Sequence, residues 1–126
     1  MYELTVETEF SAAHCIRGHP GKCARLHGHN YRVAVVVAGD RLNDLDMLLD
    51  FGDAKALIAE VVGALDHTNL NELPDFAERN VTSENLARHI FNGLRDRLAT
   101  SPGPVRLARV TVWEGPRSSA TYSEGT

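Results

Sequence analysis

Two segments of this chain alternate with a period of two, and they alternate in step. Tyr2, Leu4, Val6, Phe10 and Ala12 share one parity, set against Glu3, Thr5, Glu7 and Glu9. That is the pattern of a strand with one buried face. Tyr31, Val33, Val35 and Val37 repeat it in a second, valine-rich segment. His14 continues the apolar parity of the first strand, and His27 and His29 carry that of the second. Residues i and i+2 of a strand point to one face. Without a bulge, all three imidazoles therefore end on the same buried side of a sheet. Gly28 between two of them leaves the opposite face bare, so the backbone there can bend or be approached closely.

Three histidines with an open fourth position are the donor set of a catalytic zinc site. Taken singly, each is as readily a polar residue near a loop, bonded to backbone. Their shared parity favours a metal. Cys23, four residues before His27, offers a thiol that can serve as ligand, nucleophile or proton carrier.

The 126 residues make one domain, residues 1–126, with a modest core. A net charge of −4 and a pI near 5.8, with no basic run, argue against a nucleic-acid partner. No apolar stretch reaches the ~18 residues of a membrane span. The N-terminus alternates from residue 2 rather than reading as a signal peptide, so a cytoplasmic location is the expectation. Free thiols at Cys15 and Cys23 follow from it.

The coarse order is strand, loop, strand, helix, loop, helix, strand, strand. Asp50 is a good N-cap for a helix reaching about Leu65, with an apolar stripe of Leu57, Ile58, Val61, Val62 and Leu65. Thr82 opens a second helix, which buries Leu86, Ile90, Phe91, Leu94 and Leu98. Ser101-Pro102-Gly103-Pro104 should stop it. A third strand runs from Val105 to Glu114, with Ala108, Val110, Val112 and Glu114 in one phase. Ser118 to Ser123 is a short fourth. Strands at both ends and helices between predict an α+β sandwich, an antiparallel sheet covered on one face.

Three further features carry chemistry. Asp66-His67 follows the first helix: a proton carrier beside a carboxylate, or an ordinary polar helix end. Glu114 sits in phase with buried valines. It is either an exposed edge residue or a carboxylate accepting two parallel hydrogen bonds from a planar heterocycle. Thr82 and Ser83 form a helix N-terminus, whose free backbone N–H groups can also meet a polar ligand.

The ordered set of motifs resembles the 6-pyruvoyl-tetrahydropterin synthase family nearly end to end. It comprises Phe10-Ser11-Ala12-Ala13-His14, Cys23-x-x-x-His27-Gly28-His29-Asn30-Tyr31, Leu49-Asp50-Phe51, Leu65-Asp66-His67-x-x-Leu70-Asn71, Thr82-x-Glu84-Asn85 and Val112-Trp113-Glu114. The likeness is closer to the bacterial 6-carboxy-tetrahydropterin synthases of queuosine (7-deazapurine) biosynthesis. Two positions depart from the family pattern. Val81 stands before Thr82 where proline is usual, and Gly115-Pro116-Arg117 follows Glu114.

The resemblance implies the tunnelling fold, ββααββ, with subunits joined edge to edge into a β-barrel. It implies a homo-oligomer that is trimer-based, a hexamer as the whole, with active sites between subunits. It implies Zn2+ on His14, His27 and His29, proton transfer by Cys23, Asp66 and His67, and a pterin anchor at Glu114. The implied substrate is 7,8-dihydroneopterin triphosphate, with 6-carboxy-tetrahydropterin, acetaldehyde and triphosphate as products. A same-fold enzyme that keeps the side chain as 6-pyruvoyl-tetrahydropterin is the alternative. A non-catalytic zinc module is a further one. Lys22, Arg25 and Arg17 are candidates for the triphosphate, or plain surface charge.

Overall fold

The computed structural model describes residues 1–100 and 104–125. Four strands and two helices account for most of it. They are β1 (Tyr2–His14), β2 (His27–Gly39), α1 (Phe51–Gly63), α2 (Ser83–Leu98), β3 (Arg106–Gly115) and β4 (Ser118–Tyr122). The strands form one antiparallel sheet in the order β1-β2-β3-β4. Both helices lie on one face of it, α2 over β3 and β4 and α1 over β1. This is the expected α+β arrangement, and each helix starts where its cap places it. Asp50 Oδ1 accepts from the Gly52 and Asp53 amides at 2.7 and 3.3 Å. Thr82 Oγ1 accepts from the Asn85 amide at 3.1 Å.

β1 and β2 pair without a register break from Tyr2↔Gly39 to His14↔His27. The predicted parity therefore survives along the whole ribbon. Val6, Phe10, Tyr31, Val33 and Val35 face the helices and pack with Ile58, Val61, Leu86, Ile90, Phe91 and Leu94. Phe10 and Tyr31, directly opposite, stack with ring centroids 4.9 Å apart. On the other face Arg109 forks onto Glu3 at 3.1 and 3.2 Å. Arg32 reaches Glu7 and lies 4.0 Å over the Trp113 ring. Beneath these side chains Ala34, Val36 and Ala38 are buried, which explains why β2 is apolar on both parities.

The structure departs from the sequence reading in three places. The register of β2 on β3 shifts between Val36 and Val37, leaving Ala108 as an extra residue. Below that bulge Leu107, rather than Ala108, packs against the core, because one inserted residue exchanges the faces. α1 ends at Gly63, two residues short of Leu65, and the chain then turns to run beside β1. The stretch between the helices holds two 3₁₀ turns, Leu70–Glu72 and Pro74–Phe76, which seal the core with fully buried Leu70, Phe76 and Val81. The residues expected to stop α2 lie, apart from Pro104, outside the described residues.

Candidate functional site

The strand pairing brings the three histidines together. His14 and His27 are cross-strand partners, and His29 lies opposite Ala12, one pleat away. The ring centroids are 4.6, 4.8 and 5.0 Å apart, each pair edge to face. Three imidazoles so arranged surround a point rather than stack. His14 Nδ1 donates to the Val81 carbonyl at 2.7 Å, and His27 Nδ1 to the Arg25 carbonyl at 2.6 Å. Those bonds leave each Nε2 as the free donor atom, the arrangement that fixes a metal-ligating histidine in place.

His14 is 1% exposed. Among the described residues neither its Nε2 nor that of His29 has a hydrogen-bond partner. A buried polar atom without a partner is costly. Here two of them converge, and a cation on their lone pairs relieves both. Burial pushes both imidazoles below their ordinary pKa, against the nearby Glu114 charge. The direction favours the neutral form, the one that ligates a metal.

Glu114 joins this cluster. Its carboxylate, together with the three imidazoles, offers donor atoms that all lie within 4.8 Å of one another. Trp113 pairs with Ser119 and Gly115 with Ser118, so Glu114 is left without a partner on β4. It keeps the phase of the buried Val110 and Val112, as the alternation predicts, and its Oε1 lies 3.1 Å from His29 Nε2. Ser83 Oγ donates to the other carboxylate oxygen at 3.4 Å. A cavity of about 560 Å³ opens beside them, lined by His29, Ser83, Glu84, Glu114 and the turn from Gly115 to Ser118. The volume suits a small heterocycle.

The other sequence candidates lie apart from these four. Cys23 sits half-buried in a 3₁₀ turn, Lys22–Ala24, and both cysteines are free thiols. Its carbonyl accepts from the Ile16 amide at 2.7 Å, which ties the turn to the end of β1. Asp66 and His67 meet each other at 2.9 Å, but on the far side of β1, where the His67 side chain is 81% exposed. The Ser11 amide, first, and then His67 hold the Asp66 carboxyl below its usual range. His67 has a positive φ of 59° and lines a cleft with Ser11, Gly28, His29 and Asn30. Thr82 is occupied by capping.

Some expectations need correction. A Cβ at Gly28 would meet only the Ala12 carbonyl, at 3.6 Å, so crowding does not require glycine there. Arg17 is exposed but not plain surface charge, since its Nη2 donates to the Phe76 and Arg79 carbonyls at 2.8 Å each. Three contributors escaped the sequence reading. The Val81 carbonyl had no sequence signal. Glu84 entered only as part of the Thr82-x-Glu84-Asn85 motif. Tyr31 shares the parity of His29, which could have marked it. Its hydroxyl is buried without a partner among the described residues, and burial, with Glu114 nearby, pushes its pKa up.

Residues 3–125 match the family described as 6-pyruvoyl tetrahydropterin synthase. A 6-carboxy-5,6,7,8-tetrahydropterin synthase of Bacillus subtilis is 36% identical over 126 aligned positions, 96% of this chain and 84% of its own. A dihydroneopterin monophosphate aldolase of Pyrococcus furiosus is 38% identical over 112 positions, 89% of each chain. The structure of 6-pyruvoyl tetrahydropterin synthase from Caenorhabditis elegans superposes with a TM-score of 0.83 at 30% identity, covering 99% of this chain and 98% of the other.

Proposed function

The chain belongs to the 6-pyruvoyl tetrahydropterin synthase family, and from that premise we propose that it is a zinc-dependent carbon–carbon and carbon–oxygen lyase. Its substrates in this reading are 7,8-dihydroneopterin triphosphate and one water, and its products are 6-carboxy-5,6,7,8-tetrahydropterin, acetaldehyde and triphosphate, in the route to queuosine. The observation that carries the reading is the cluster of His14, His27, His29 and Glu114 at the wall of a cavity sized for a pterin.

His14, His27 and His29 hold the zinc, which supplies Lewis acidity toward the side-chain hydroxyls of the substrate. Glu114 anchors the pterin ring, accepting from a ring N–H and the exocyclic amino group together. Ser83 steadies that carboxylate, and the N-terminus of α2 borders the ring. Cys23 carries protons at the side-chain carbons. Asp66 orients His67, which is the second acid–base group.

His67 stands on the outer edge of β1, away from its own chain's cluster. Its role therefore calls for a site completed between copies. β1 and β4 are the edge strands of the sheet, which supports ring closure into a barrel, and we assign a trimer-based assembly, a hexamer as the whole.

The test is one turnover experiment with zinc-loaded protein, mass detection of products and a parallel incubation with the monophosphate. Acetaldehyde with triphosphate supports the reading. Triphosphate release with all three side-chain carbons retained replaces it with 6-pyruvoyl-tetrahydropterin formation. Preference for the monophosphate moves the protein to the chemistry named for its Pyrococcus furiosus relative. Inertness toward both leaves a zinc-binding module.

A further inference from the structure

The approach of Glu114 to His29 is close, yet it is not a hydrogen bond. Nε2 and Oε1 are 3.1 Å apart, while Nε2 has no hydrogen-bond partner among the described residues. The oxygen lies off the direction in which a ring N–H would point. Two donor atoms that come this near without facing each other have the geometry of neighbouring ligands on one ion. With zinc bonds of 2.0–2.1 Å, the edge of a tetrahedral site is about 3.3 Å long.

The remaining donors agree. The four ligand atoms lie within 4.8 Å of one another, and His14 and His27 present Nε2 because Nδ1 is engaged by backbone. The carboxylate is divided between two partners. Oε1 lies toward the imidazoles, and Oε2 accepts from Ser83 at the start of α2. A planar ring donating two parallel hydrogen bonds needs both oxygens at once.

We propose that Glu114 is the fourth metal ligand of the substrate-free protein, and that a pterin removes it from the metal. This rests on the reading of His14, His27 and His29 as zinc ligands. The resting site is then closed, three imidazoles and a carboxylate, and the open position of a catalytic centre exists only with the ring in place. One carboxylate cannot serve both partners, so metal and ring weaken each other's binding. By linkage the effect is equal in both directions.

The experiment uses metal-free full-length protein. Zinc affinity is measured by competition with a chromophoric chelator, and cobalt(II) substitution reports coordination through its visible absorption. Glu114→Gln and Glu114→Ala should raise the zinc dissociation constant about tenfold or more, and should weaken the intense cobalt bands of a tetrahedral site. Unchanged affinity with an unchanged cobalt spectrum overturns the proposal. In wild-type protein, 6-methylpterin has no side-chain hydroxyl with which to ligate. Once bound, as its fluorescence shows, it should shift the cobalt bands and weaken zinc. A cobalt spectrum indifferent to bound 6-methylpterin also overturns the proposal, whatever the variants do. His27→Ala separates the two layers. If it binds zinc as the wild type does, the underlying ligand assignment fails as well. If it loses zinc while Glu114→Gln keeps wild-type affinity, only the fourth-ligand proposal fails.

Discussion

Stripping the metal and returning zinc should move the thermal midpoint by about 10 °C. Folding alone assembles the donor set. His14 and His27 are thirteen residues apart in sequence but opposite one another in the sheet, and two of the Nε2 atoms are buried without a partner among the described residues. Zinc therefore binds the folded chain far better than the unfolded one. At a free concentration one hundred times its dissociation constant, it adds about 2.7 kcal/mol. Unfolding entropy is about 2.1 cal/mol/K per residue, so 126 residues give about 0.26 kcal/mol/K and a shift of about 10 °C. Scanning calorimetry at fixed protein concentration, across a zinc titration, measures it. The ring of His27 is only partly buried, so His27→Ala should barely move the metal-free midpoint and should remove most of the zinc increment. A midpoint indifferent to zinc, or an increment that survives His27→Ala intact, refutes the reasoning.

Cys23→Ala should keep zinc content and assembly while turnover falls by at least about 10², the lower range for a lost general acid–base group; normal turnover would make Cys23 structural. Gly93 packs α2 against α1, and a Cβ there would lie 3.1 and 3.3 Å from the two Val61 methyls. Helix propensity favours alanine by about 1 kcal/mol, and crowding a packed interface costs about 1–3 kcal/mol. Gly93→Ala should thus destabilise by up to about 2 kcal/mol in urea, and Val61→Ala should relieve the strain; a single variant more stable than wild type contradicts this. The Asp66 carboxyl is held below 3.8 by the Ser11 amide and then His67. Its contribution is present above that value and is lost as pH falls through the depressed one. Carbon-13 titration should place its midpoint below 3.8, and a midpoint at or above 3.8 would show that the tie to β1 is absent in solution.

What could be read in the sequence was what period-two alternation controls. The convergence of His14, His27 and His29 followed from parity because β1 and β2 pair for thirteen residues without a slip. Helix starts followed from Asp50 and Thr82 because a cap is a local hydrogen bond. Features that depend on a distant partner were out of reach. The bulge at Ala108 reversed the expected faces below it and leaves no mark in the alternation. Glu114, in phase with Val110 and Val112, kept the face that the alternation gave it. Burial of Leu70, Phe76 and Val81 depends on how the segment between the helices folds back. The place of His67, outside its own chain's cluster, depends on α1 ending early and the chain returning along β1.

That return along β1 works as a ruler. The Ser11 amide is taken by Asp66 Oδ1 and the Ser11 carbonyl by the His67 amide, while the Ala13 amide is taken by the Thr68 carbonyl. In an antiparallel sheet outward-facing backbone groups fall on alternate residues, so those left free belong to positions 3, 5, 7 and 9. A strand arriving from outside can add hydrogen bonds along that length and then runs into the Asp66-His67 turn. It cannot slide further, and a slip of one residue in the other direction would exchange its two faces. The residues that present the imidazole also set the offset at which a second sheet can join.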